Sequence, residues 1–408
     1  MKNVFAIALG ILAAIGGFVD IGDIVFNTAA GATFGYELLW AVVIGVGGII
    51  TYAEMCGRVA AVSERAVFDA VRERLGFQVG LVALVAAQFV NLLTIAAEVG
   101  GVALVLQLLS GLPYRALLVL ALVALALVLW VMPFSWIERV FGYAGLALLV
   151  FAVGAIKLHP DWAQVARGFV PRAEADNLAV YGYYVVGLIG AAMIPYEVYF
   201  YSSGAVEERW RPKDLGVNRA NAIVGYSLGG ILSFALMISA GALLLPQGIS
   251  PEHLGSVALV AEVPVGQIGL ILALVGMLFA ISGAAIDSVF AGAYNLAQFF
   301  GWEWGKYRKP AEAPRFTLAW IVMLVLGFAI VVTGVDPIVV TEYSVIFSVV
   351  ALPLTYIPIL LVANDRAYMG NYANGRLANV FGIGYLVVIL IVAIAAIPLM
   401  ILSNMGQG

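Results

Sequence analysis

Apolar runs long enough to cross a bilayer recur about eleven times along the chain. They cover roughly 4–33, 37–56, 79–110, 115–132, 136–157, 180–204, 217–245, 266–300, 316–333, 338–363 and 377–403. Each is close to or above the ~20 residues that a helix needs to span ~30 Å of hydrocarbon. The third and eighth runs are longer, which predicts tilted helices or helices that project beyond the bilayer. Residues 158–179 are polar and read as a loop, and 246–265 read as a loop carrying a short interfacial helix. The pattern predicts an all-α polytopic membrane protein with no soluble domain, nucleotide motif or low-complexity tail.

Composition agrees with that reading. The chain has 408 residues, 63% hydrophobic and 11% charged, with a mean hydropathy of +1.05. Its net charge of -4 says less than the placement of the charges. Sixteen of the 20 basic residues fall at Lys2 and in alternate loops: Arg58 to Arg74, Arg139, Arg209 to Arg219, Lys306 to Arg315, and Arg366 with Arg376. The other face holds Arg115, Lys157, Arg167 and Arg172. Positive residues mark cytoplasmic loops, so the expectation is a cell (inner) membrane protein with an odd helix count, a cytoplasmic N-terminus and an external C-terminus. The first apolar run is followed by Gly and Asp instead of a small-residue cleavage site, and is expected to be a retained helix. A single cysteine, Cys56, excludes an internal disulfide and a multi-cysteine metal site. His159 and His253 both fall in loops, which argues against an imidazole ligand or relay within the membrane.

Acidic residues inside apolar runs carry the functional signal. Asp20 and Asp23 interrupt the first run, in Gly16-Gly17-Phe18-Val19-Asp20-Ile21-Gly22-Asp23. A carboxylate at bilayer depth costs about 2.5–3.5 kcal/mol on insertion scales, which a partner must offset; a cation is the simplest. The sixth run, Gly187 to Glu197, contains Pro195, which has no backbone donor and breaks a helix. Paired interruptions five segments apart point to an inverted-repeat transporter with its site near the midplane, although no sequence identity between the halves is visible. The expected organisation is 1–160 (first repeat), 161–365 (second repeat, with external loop 161–179) and 366–408 (an added eleventh helix). Unwound carbonyls and half-helix C-termini suit a cation, and Asp20, Asp23 and Glu197 would add negative charge.

Other polar residues divide between function and packing. Glu98 either lines the ion path or pairs with an arginine of a neighbouring helix. Asp287 either draws ions in the inner vestibule or makes an interhelical hydrogen bond. Glu54 and Arg58 are spaced i,i+4 for a salt bridge. Gln88 and Asn91 read as interhelical glue. Tyr196, Tyr199 and Tyr201 read as aromatic packing or part of a gate, and Trp302 and Trp304 as interface anchors.

The run Asp20-Ile21-Gly22-Asp23-Ile24-Val25-Phe26-Asn27-Thr28-Ala29-Ala30-Gly31-Ala32, with Gly35-Tyr36-Glu37-Leu38-Leu39-Trp40, resembles the NRAMP divalent-metal transporters. That family has Asp-Pro-Gly-Asn in helix one, then Ala-Gly-Ala and Gly-Tyr-x-Leu-Leu-Trp. Ala191-Ala192-Met193-Ile194-Pro195-Tyr196 resembles its helix-six Ala-x-x-Met-Pro-His. Thr94-Ile95-Ala96-Ala97-Glu98-Val99-Gly100 resembles its helix-three Thr-Asp-x-x-Glu-Val-x-Gly, and Leu352-Pro353 to Ile357-Pro358 also fits. Arg315 matches a basic helix-nine position, which positive-inside placement explains equally. The resemblance implies a LeuT-like 5+5 inverted repeat with broken helices 1 and 6, and a metal site of Asp20, Asp23, the Ala191 carbonyl and Glu197. Glu98, Asp287, Ile194 and Tyr196 are candidates for the ion path.

Departures from the family pattern set the expected cargo. Asp23 replaces the family's asparagine and Ile21 its proline. Ile194 stands at the metal-binding methionine, Tyr196 at the histidine, Glu197 at the following asparagine, and Ile95 at an aspartate tied to proton movement. Loss of a thioether and gain of carboxylate favour magnesium, calcium or manganese over softer metals. This looks most like the NRAMP-related magnesium transporters, with Mg2+ first, Mn2+ next and weak or absent proton coupling. The expected partners are the ion as cargo and the bilayer, for a monomer with no cofactor, no nucleic acid and no enzymatic constellation. A proton- or sodium-coupled organic-solute carrier of the same fold is the alternative, and a channel or a metal-sensing receptor a third reading.

Overall fold

The computed structural model describes residues 18–172, 177–249 and 254–407. The expectations for residues 4–17, including Gly16 and Gly17, and for His253 lie outside the described residues. The helices are α1 (Ile21–Phe34), α2 (Leu39–Ser63), α3 (Val67–Leu75), α4 (Phe77–Ser110), α5 (Tyr114–Val131), α6 (Phe134–Gly145), α7 (Leu149–Lys157), α8 (Trp162–Arg167), α9 (Leu178–Ala192), α10 (Pro195–Glu207), α11 (Leu215–Ala220), α12 (Tyr226–Leu243), α13 (Leu254–Val265), α14 (Gln267–Phe300), α15 (Pro314–Val331), α16 (Pro337–Asn364), α17 (Arg366–Met369) and α18 (Arg376–Leu402). Among the described residues ten helical stretches are long and apolar enough to cross a membrane. These match the second to eleventh runs of the sequence.

The two long runs are the 34-residue helices α4 and α14. They lie side by side, and Gln88 Nε2 donates to the Gly292 carbonyl at 2.9 Å across the contact, the bridging role expected of it. Asn91 is buried, and neither side-chain polar atom has a hydrogen-bond partner among the described residues. The 246–265 stretch does carry a helix, α13, which packs on α7, with Gly154 facing Pro264. α16 runs on through Pro353 and Pro358. α18 is peripheral and largely exposed, as a lipid-facing helix should be.

Both interruptions have local causes. Asp20 is extended (φ -96°, ψ -178°) and caps α1. Ile194 is also extended (φ -62°, ψ 132°), because a residue before proline is excluded from helical space. Pro195 then opens α10 at a position where no backbone donor is required. It has no N–H to give the Ala191 carbonyl four residues back. α1 is seated closely: a Cβ on Gly31 would lie 2.4 Å from the Met237 carbonyl oxygen of α12, and one on Gly187 of α9 would lie 2.0 Å from Phe26. Small residues at such crossings let backbones approach.

Alternate loops gather on common faces. Arg58 bonds the Tyr372 carbonyl at 2.7 Å and pairs with Glu54 at 3.1 Å. Arg74 pairs with Asp365, Arg211 with Glu64, and Lys306 with Glu138 at 3.0 Å. These contacts join the basic-rich loops into one face. On the other, Trp40 N donates to the Gly168 carbonyl at 3.0 Å and Trp40 Nε1 to Tyr181 Oη at 3.1 Å.

Candidate functional site

The start of α1 gathers two carboxylates onto its unpaired backbone donors. Asp20 Oδ1 accepts from Asp23 N at 2.7 Å. Glu98, reaching from α4, accepts from Ile21 N at 3.3 Å. A helix N-terminus carries partial positive charge, so these groups are stabilised by a helix end and not by arginine. Asp23 is held from its own helix and from α12. Asn27 Nδ2 donates to its Oδ1 at 2.8 Å, and Ser233 Oγ lies 2.8 and 2.9 Å from its two oxygens.

The second break brings its own acid. Glu197 sits in the first turn of α10, 7% exposed, where the helix end again favours negative charge. Asp20 acts electrostatically on Asp23, Glu98 and Glu197. Among the described residues no lysine or arginine forms an ion pair with any of them. Two buried oxygens, Glu98 Oε2 and Glu197 Oε2, have no hydrogen-bond partner among the described residues. A buried group in that condition is costly, and a cation relieves it. No three Asp, Glu, His or Cys side chains converge tightly enough among the described residues to hold a metal ion directly. The arrangement offers separated oxygens that a partly hydrated ion can bridge.

The remaining expected residues divide into two groups. Tyr196, Glu197 and Asp287 line one cavity of about 70 Å³ with Glu138, Glu208 and Lys306, roomy enough for several waters. It runs from the second break to the basic-rich face. Ile194, by contrast, is 3% exposed and packs with Tyr196, Ala291 and Phe200. Ala191 is buried at the end of α9. The neighbouring Met193 is turned away: its Sδ would lie 2.5 Å from a Cβ placed on Gly48 of α2, and its carbonyl accepts from Tyr356 Oη at 3.1 Å. Tyr199 stacks edge-on against Phe68 and Tyr201 against Trp210, the packing role expected of aromatics at helical spacing.

Asn27 and Ser233, which bond Asp23, and Tyr356, which bonds the Met193 carbonyl, are not among the residues expected from the sequence. Asn27 follows Asp23 by four residues on one helix, a spacing that signals contact. Ser233 and Tyr356 carry no comparable local signal. Ser233→Ala should lower the thermal stability of the metal-free protein by about 1–3 kcal/mol. It should enlarge the stabilisation by Mn2+, because Asp23 loses a competing donor. Thermal unfolding with and without Mn2+ reads both effects.

Comparison with known proteins covers most of the chain. The family model described as Nramp, natural resistance-associated macrophage protein-like, matches residues 10–398. The divalent metal cation transporter MntH of Deinococcus radiodurans is 25% identical over 395 residues, spanning 92% of this chain and 85% of that protein. An Eremococcus coleocola manganese transporter, solved with an aromatic bis-isothiourea substituted compound, superposes with TM-score 0.77 at 20% identity, covering 95% of this chain and 85% of that one. Mhp1, a nucleobase-cation-symport-1 family transporter, superposes with TM-score 0.60 at 16% identity, covering 97% and 92%. These likenesses show a LeuT-like fold.

Proposed function

Because the chain belongs to the Nramp family, we propose that it is a divalent metal cation transporter that prefers magnesium, accepts manganese and works by alternating access. The observation that carries this reading is the character of the two breaks. Carboxylates stand at both, and the nearest sulfur in sequence, Met193, is packed against Gly48. Oxygen donors and retained water suit magnesium and manganese. Asp20 and Asp23 hold the ion or its inner waters, Ala191 offers its carbonyl, and Glu197 adds charge. Manganese stands second because the relatives named above include a manganese transporter.

Weak or absent proton coupling is part of the same proposal. Ile95, at the position the resemblance gives to an aspartate, is buried, with its Cγ2 2.4 Å from where a Cβ on Gly327 of α15 would sit. Tyr196 stands where the family has histidine. The membrane potential is a sufficient drive: two charges moving inward across 100 mV gain about 4.6 kcal/mol.

The test is ligand-dependent unfolding, beside an amino-acid panel. Mg2+ and Mn2+ should raise the unfolding temperature and amino acids should not, and flux into liposomes should saturate. Stabilisation by an amino acid without any by metal would overturn the reading in favour of an organic-solute carrier.

A further inference from the structure

Lys306 lies in the loop between α14 and α15, yet its side chain is only 2% exposed. Its Nζ is 3.0 Å from Glu138 Oε1. It also sits over the Phe134 and Phe200 rings, 4.1 and 5.2 Å from their centroids, in cation–π range. Positive-inside placement needs no burial, and Arg308 in the same loop remains half-exposed. Burial opposes the Lys306 charge, but Glu138, Tyr307, Glu208 and Glu207 outweigh it and hold the ammonium's pKa above the ordinary lysine value. The residue is therefore a fixed cation.

Its position gives that cation a role. The cavity it lines also contains Glu208, Asp287 and Glu197. At the end nearer the second break, Glu197 Oε2 is buried without a hydrogen-bond partner among the described residues. Gly204, on the cavity wall, faces the ammonium: a Cβ there would lie 3.7 Å from Lys306 Nζ, in ordinary contact. Without Lys306 the same volume would hold several carboxylates around waters. That combination retains a hydrated divalent ion without direct ligation.

We infer that this vestibule is a second, outer-sphere divalent-cation site that the chain keeps filled with its own Lys306 ammonium, so that an ion released from the helix breaks passes through instead of lodging. The inference rests on the transporter reading above in assigning a direction to the ion. The site itself is tested by equilibrium binding.

The experiment counts Mn2+ bound to the purified full chain, from the loss of the free-ion EPR signal. Wild type should bind one ion per chain and Lys306→Met a second. Hexaamminecobalt(III), an inert mimic of a hydrated cation, should displace only the second ion. Lys306→Arg, which keeps the charge, should bind as wild type does. Lys306→Met combined with Asp20→Ala should keep the vestibule ion while losing transport. Absence of both Mn2+ binding and flux in wild type would defeat the transporter reading alone. A Lys306→Met count equal to wild type would overturn the vestibule site. If Lys306→Met does not fold, the double variant with Glu138→Gln removes the stranded partner and carries the same test, with the same two outcomes.

Discussion

Asp20→Asn is expected to abolish divalent-metal uptake while leaving the protein folded. The substitution keeps the shape of the break. Asparagine ranks with aspartate as an N-cap, and its side-chain oxygen can still accept from Asp23 N, now 2.7 Å from Asp20 Oδ1. What is lost is charge. Unit charges about 4 Å apart attract by about 4 kcal/mol at an effective dielectric of 20, equivalent to about a thousandfold in affinity. Stability should hold, since the cap hydrogen bond and the shape of the break are kept. Flux of Mg2+ and Mn2+ into liposomes, with unfolding temperature measured on the same preparation, separates loss of cargo binding from loss of fold. Full flux in Asp20→Asn would remove Asp20 from the site.

Ile194→Met should move selectivity toward softer metals. Ile194 is buried beside Tyr196 and Ala291, and replacement by the similarly sized methionine costs less than about 1.5 kcal/mol. The variant supplies the thioether that the family resemblance places there. Sulfur favours softer ions and takes space from retained water. The ratio of Mn2+ or Cd2+ affinity to Mg2+ affinity should rise about tenfold, the effect of roughly 1.4 kcal/mol. Competition binding reads it directly. An unchanged ratio would mean that position 194 does not face the cargo.

The legible part of the fold was the part written in hydropathy and in backbone chemistry. Ten of the expected membrane runs reappear as helices, and the one within 180–204 divides at Pro195, where the chemistry of proline requires it. Spacing also gave the Glu54–Arg58 pair, since both residues lie on one helix. Partners distant in sequence were not readable. From sequence Glu98 fits either an ion path or an arginine partner; the structure places it on the Ile21 N–H, a donor left free because α1 starts there. Ser233 carries no sequence signal of its contact with Asp23, which α12 brings about across 210 residues of chain. Lys306 reads as one more positive-inside charge, because nothing local shows that the loop folds inward over Phe134. Asp20→Asn tests the proposed ion site at the first break, and Ile194→Met tests it at the second.

The most direct measurement is flux of Mg2+, Mn2+ and Ca2+ through the purified chain in liposomes, under an imposed potential, with a pH dye inside. The account predicts saturable, potential-driven Mg2+ uptake, slower Mn2+ uptake and no acidification. Manganese uptake accompanied by acidification, with no Mg2+ flux, would contradict it.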